Sequence, residues 1–174
     1  NLSDLAAEIA ERDLRNLEKL FLKPELFIQS DNQEIQALAR EITRAATDPL
    51  DKVRRLANWV YRNVDKRPVL SLPDALATLK NRVGDCNEHA VLFAALARAA
   101  GIPCRVEAGL AYLKGRFYYH AWNLVYLGRW ITVDSVFDQI PADVSHIRLV
   151  TGSPDRQLDL MGVIGKMQLN VLKP

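Results

Sequence analysis

The sequence predicts an α+β domain, because its hydrophobic period changes once along the chain. Apolar residues recur every three or four positions through the first hundred residues, and every second position after Cys104. Gly and Pro fall between these segments rather than inside them, and the most apolar segment, residues 86–100, lies at the junction. Helices followed by consecutive antiparallel strands imply a helical layer packed on a sheet.

The elements follow in order. Leu2, Leu5, Ile9, Leu17 and Leu20 form a first helical stripe that ends before Pro24. Asp31 with Glu34 resembles a capping box ahead of a helix whose inner face is Ile35, Leu38 and Ile42. Asp48-Pro49 starts a third helix, with proline at a first-turn position that loses no needed hydrogen bond; it runs to about Val64 and buries Val53, Leu56, Val60 and Val64. A short helix spans about Pro73 to Leu79. The run CNEHAVLFAALARAA then gives the clearest helix, Cys86 to Ala100, with Asp85 and Glu88 spaced as N-cap and N3 and Gly101 at its stop. Because that helix is apolar nearly all round, it belongs in the middle of the domain. Three strands, RVEAGLAY, FYYHAWNLVYL and WITVDS, are separated by turns at Lys114-Gly115 and Gly128-Arg129, and Ser145–Thr151 and Lys166–Leu172 are further candidates.

At 174 residues the chain suits one domain, residues 1–174, with 1–47 as an N-terminal helical extension and 48–174 as the core. Lys plus Arg at 23 against Asp plus Glu at 21 is too balanced for a phosphate-binding surface, so nucleic acid is not an expected partner. No apolar run reaches eighteen residues and no signal-peptide pattern opens the chain. The chain begins at Asn1, which leaves its compartment open; an extracytoplasmic or periplasmic location is favoured for a chain whose leader has been removed. Cys86 and Cys104 are too few for a disulfide framework, and Cys104 reads as a small packed hydrophobe.

The chemistry centres on Cys86. A nucleophilic cysteine needs an accessible sulfur where negative charge is tolerated, and the first turn of a helix offers exposed amides and the positive end of the dipole. The polar run GDCNEH is a poor home for an inert core cysteine. His89 lies on the same helix and points along it, which suits a structural or supporting role. His146 reads as structural or surface. His120 and Asp134 interrupt alternating strands, where a buried polar side chain must find a partner. A self-satisfied structural pair remains open beside a catalytic one.

GDCNEHAVLFAALARAAGIPCRVEAGL and HAWNLVYLGRWITVDSVF together resemble the core of the transglutaminase-like superfamily. The likeness covers about residues 50 to 140 and points to the superfamily's broad, largely bacterial branch. It implies a papain-like fold with Cys86 as nucleophile, His120 as general base and acid, and Asp134 as the residue that orients the imidazole. The implied activity is acyl transfer on amide bonds of a protein or peptide substrate, cell-wall peptide among them, without a cofactor or a metal. Asp85, Asn87 and Trp122 are the candidate substrate-binding residues, although for Trp122 the reading as a core-packing residue comes ahead of that as a wall of the cleft. Ser135-Val136 follows Asp134 where the family commonly has proline and threonine, and no calcium-binding acidic cluster is evident. The rival readings are a catalytically silent binding module and a metal site built from Cys86, His89, Cys104 and His120, whose spacing matches no common zinc pattern.

Strand parity adds a test. A two-residue turn at Gly128-Arg129 would put His120 and Asp134 on opposite faces. A three-residue loop, Leu127 to Arg129, sets Tyr126 opposite Trp130 and brings both onto one face, expected to be that of the Cys86 helix.

Overall fold

The computed structural model describes residues 15–16, 19–70 and 72–152. The start of the first stripe, from Leu2 to Leu17, and the expected strand at Lys166–Leu172 lie outside the described residues. Helix α1 is Gln33–Thr43, capped by Asn32 rather than Asp31: the Asn32 side chain accepts the Glu34 and Ile35 amides. Helix α2, Pro49–Asn63, starts as expected, with the Asp48 carboxylate on the Asp51 amide. It buries Val53, Leu56, Ala57 and Val60 at 3.6-residue spacing. Helix α3, Ala75–Asn81, starts two residues after Pro73 because Asp74 takes the capping role.

Helix α4, Cys86–Ala99, is buried without interruption from Glu88 to Arg98 and packs against the three other helices among the described residues. Its opposite side lies on the sheet. Arg98 anchors its far end, donating to the Cys104 carbonyl at 2.8 Å, the Lys23 carbonyl at 2.6 Å and the Glu25 carboxylate at 2.8 Å. Arg98 lies twelve helical steps beyond Cys86, about 18 Å along the axis. Cys104 is therefore remote from Cys86, both are free thiols, and they cannot share one metal ion.

Among the described residues four strands form the sheet in the order β5-β4-β3-β6: β3 Cys104–Leu113, β4 Arg116–Tyr126, β5 Trp130–Val133 and β6 His146–Thr151. Two further short strands escaped the sequence reading. They are β1, Asp65–Lys66, and β2, Val83–Gly84, which pair in parallel and bring the chain ahead of Cys86 alongside the end of α2. Gly84 is needed there, since a Cβ would fall 2.2 Å from the Glu88 Cβ.

The β4–β5 hairpin has the three-residue connection. Tyr126 pairs with Trp130 and Asn123 with Val133, the Leu127 amide donates to the Arg129 carbonyl, and Gly128 has φ +79°. On the other flank the β3–β6 register slips at Ala108/Gly109. A Cβ on Gly109 would lie 2.0 Å from the Ile147 carbonyl oxygen, so glycine is what lets β6 approach.

One expectation about faces is overturned. The sheet face against α4 carries small and apolar residues, Cys104, Val106, Ala108, Ala121 and Val125, with Asn123 donating to the Ala90 carbonyl. His120 and Trp122 alternate with these and occupy the opposite face. Alanines at 108 and 121 suit close helix packing; an imidazole would not. Cys86 instead sits at the tip of α4, near the β4 backbone at Ala121 beyond the stretch where β5 pairs.

Candidate active site

The geometry around Cys86 begins with its cap. Asp85 accepts the Asn87 amide at 2.9 Å and completes a capping box, in which Glu88 accepts the Asp85 amide at 2.9 Å; the His89 amide bonds the Asp85 carbonyl. This leaves the Cys86 amide, at the first helical position, without an intrahelical acceptor. The sulfur opens on a cleft of 210 Å³ lined by Lys66, Arg67, Pro68, Asp85, Cys86, His120, Val136 and Phe137.

The surroundings of the thiol disfavour the thiolate. Burial, then the negative charges of Asp85 and Glu88, push it up to about 12, against the lowering contact with the Ala121 backbone amide. The helix terminus alone does not offset two carboxylates in the same turn. Glu88 itself is pushed up to about 7 by burial first and by Asp85 second.

On the sheet side, His120 Nε2 lies 2.6 Å from Asp134 Oδ2. The other carboxylate oxygen, Oδ1, accepts the Val136 amide at 2.8 Å and the Phe137 amide at 3.0 Å. Those two amides come from the turn where Ser135-Val136 departs from the common family pattern, and the turn still holds the carboxylate. Burial opposes ionisation of Asp134, but the hydrogen bonds from His120 and His146 outweigh it and hold the carboxyl well below the usual carboxylate range. The His120 ring stacks with Phe137, centroids 4.6 Å apart.

Trp122 is only 2% exposed and packs against the His120 and His146 rings, the packing place that the sequence put ahead of a substrate contact for this residue. Asn87 accepts the Tyr119 hydroxyl at 2.8 Å, and Asp85 is committed to the helix cap. His89 is fully buried, with Nδ1 2.6 Å from the Asp85 carbonyl; it braces the turn that carries Cys86.

His146 was missed. Its Nε2 lies 2.9 Å from the Asp134 Oδ2 that also binds His120, and its side chain is 4% exposed. Nothing in VSHIRLV marks this, because β6 reaches the site across β3 through a register slip that spacing does not reveal. The two histidines and Asp134 gather three potential ligand atoms within 4.8 Å. Two atoms bound at about 2.0–2.1 Å to one tetrahedral ion would stand about 3.3 Å apart, so the 2.6 Å contact is a hydrogen bond.

Comparison with known proteins identifies the family. The model of the transglutaminase-like superfamily core matches residues 36–135. Mouse kyphoscoliosis peptidase is 30% identical in an alignment 144 positions long that covers 72% of this chain and 21% of that protein. The chain thus spans about a fifth of this curated relative. A candidate cysteine protease from Cytophaga hutchinsonii aligns with a TM-score of 0.67 at 30% identity, covering 76% of this chain and 45% of that one. The periplasmic domain of TgpA from Pseudomonas aeruginosa shares the fold, with a TM-score of 0.57 at 24% identity over 71% of this chain and 48% of its own. With an α+β core of papain-like type and a family match over more than half its length, the chain belongs to the transglutaminase-like superfamily.

Proposed function

We propose that the protein catalyses cysteine-dependent acyl transfer on amide bonds of a protein or peptide substrate, by hydrolysis or transamidation. The observation that carries this reading is the shared cleft of Cys86 and His120, with His120 fixed through Nε2 on Asp134. That fixation leaves Nδ1 as the nitrogen for the thiol proton. As the sulfur attacks the carbonyl carbon, the proton passes to His120, and the developing imidazolium is stabilised by Asp134. The oxyanion is met by the Cys86 amide. Collapse expels the amine, which takes the proton from His120 and leaves a thioester on Cys86. Water or a second amine then resolves it. Asn87, whose carboxamide NH2 remains available beyond its Tyr119 contact, is the proposed substrate contact; Asp85 acts by holding the turn.

A thiol held neutral also suits a second reading, a silent binding module on the same scaffold. Mass spectrometry after incubation with candidate peptides and cell-wall fragments distinguishes them. An acyl adduct on Cys86, absent in His120→Ala, is expected. Absence of any adduct, together with no reaction of Cys86 with iodoacetamide from pH 6 to 9, would sink the enzymatic reading.

A further inference from the structure

His146 stands at the start of β6, and each of its ring nitrogens faces oxygen. Nε2 is 2.9 Å from Asp134 Oδ2. Nδ1 is 3.2 Å from the Asp143 carbonyl, 3.4 Å from Asp143 Oδ1 and 3.5 Å from the Ser145 hydroxyl oxygen. That hydroxyl spends its own hydrogen on Asp143 Oδ1. A neutral imidazole has one N–H and one lone pair, and here a lone pair on either nitrogen would point at an acceptor. The side chain is 4% exposed, which leaves little room for water to mend the mismatch. Only the doubly protonated ring makes every contact a donor meeting an acceptor.

We propose that His146 is a positioning residue held as an imidazolium at neutral pH, which clamps Asp134 and moderates the negative charge that His120 feels.

Among the described residues, the titratable groups facing His146 are Asp134 after β5, Asp143 in the loop before β6, and His120 on β4, ring centroids 5.7 Å away. Trp122 and Phe137, also against the ring, carry no charge, nor does Ala111, its partner on β3. Burial disfavours the charged ring, but the hydrogen bond and charge of Asp134, with Asp143 behind it, raise its pKa above the ordinary histidine value. The clamp is thus complete below the unfolded-state pKa of histidine, about 6.5, and is lost as pH rises through the higher folded value. Its link to catalysis rests on the roles proposed for Cys86, His120 and Asp134; the charge state of the ring does not.

Ring-nitrogen NMR of the 15N-histidine-labelled chain in EDTA, titrated from pH 5 to 9 and assigned with His146→Gln and His89→Gln, tests the charge directly. Both His146 nitrogens should remain in the protonated range at pH 7, and titrate above His89. A lone-pair shift on either nitrogen at pH 7, or a spectrum that EDTA alters, would overturn the proposal. The coupling is read from the pH dependence of Cys86 alkylation by iodoacetamide. In His146→Gln the acid limb should move upward by about one pH unit, because Asp134 then gives its full charge to His120. An unmoved limb overturns the coupling. Even without folded variants, a wild-type spectrum in which none of the three histidines is doubly protonated at pH 7 would overturn the proposal. A Cys86 that never acquires an acyl group while His146 stays protonated would refute the proposed enzyme activity and leave the imidazolium in place.

Discussion

Glu88, in the first turn of the Cys86 helix, and Asp134, the partner of His120, are both buried carboxylic acids, 4% and 0% exposed, yet they are driven in opposite directions. Glu88 is pushed up to about 7, while Asp134 is held well below the carboxylate range. Burial raises both. The difference lies in donors: Glu88 takes the Asp85 amide and faces the Asp85 charge, whereas Asp134 takes two backbone amides and two imidazoles. The helix side of the site therefore resists further negative charge, and the sheet side is built around one. A thiol between them is held toward its protonated form by burial and by the carboxylates of its own turn.

The strongest break in that contrast is removal of the proton's donor or acceptor. Cys86→Ala and His120→Ala should each reduce acyl transfer to background in a thioester-trapping assay. Cys86→Ala should leave Tm nearly unchanged, because the thiol is partly exposed at a helix tip. His89→Ala, by contrast, should unfold at lower temperature, since a fully buried ring and its bond to the Asp85 carbonyl are lost, while the folded fraction keeps much of its activity. Equal loss of kcat in His89→Ala and His120→Ala would reassign the base.

Asp134→Asn removes the charge but keeps the shape. We expect kcat/KM to fall by roughly 10²–10⁴-fold, the range of one acid–base partner, with the melting curve still cooperative. A tenfold or smaller loss would mean that His120 needs orientation and no charge.

Gly84→Ala attacks the helix side through packing, because the new methyl meets the Glu88 Cβ and not a movable side-chain end. A loss of about 1–3 kcal/mol in urea denaturation is expected, the usual cost of overpacking. A neutral result would show that β2 can shift without disturbing the turn.

The smallest effect is a pH dependence. A carboxyl whose folded pKa is raised contributes its full share of stability below its unfolded value near 4.3, and that share disappears as pH climbs through the folded value near 7. Glu88→Gln keeps an acceptor for the capping box and removes the titration. Wild-type stability should fall by about 2 kcal/mol between pH 5 and 8, with the variant flatter over that window. Parallel curves would place the effect on another group.

Local signals were legible, and so was one non-local one. The caps at Asp48 and Asp85, the extent of α4 and the odd hairpin loop all follow from spacing within a few residues. Alternation correctly put His120 and Asp134 on one face. It could not say which face, since that is decided by where Ala108 and Ala121 let α4 pack. Nor could it find β1 with β2, two residues each and paired in parallel across the intervening segment that holds α3, or His146, brought in by a register slip between β3 and β6, the strand farthest from β5 in the sheet. Asn32 displaced Asp31 as a cap because both are good acceptors one position apart, a choice that propensity does not make.

The hairpin between β4 and β5 has an evolutionary corollary. Its connection, Leu127 to Arg129, sets which side of the sheet every later residue of that strand occupies. Deleting or inserting one residue there would turn Asp134 toward the α4 side and strip His120 of its partner, although no site residue had changed. A two-residue change would spare it. Among descendants that keep the activity, lineages should therefore accumulate length changes at this loop in even steps, or odd steps repaired by a bulge in β5. The loop behaves as a parity bit for a site it never touches.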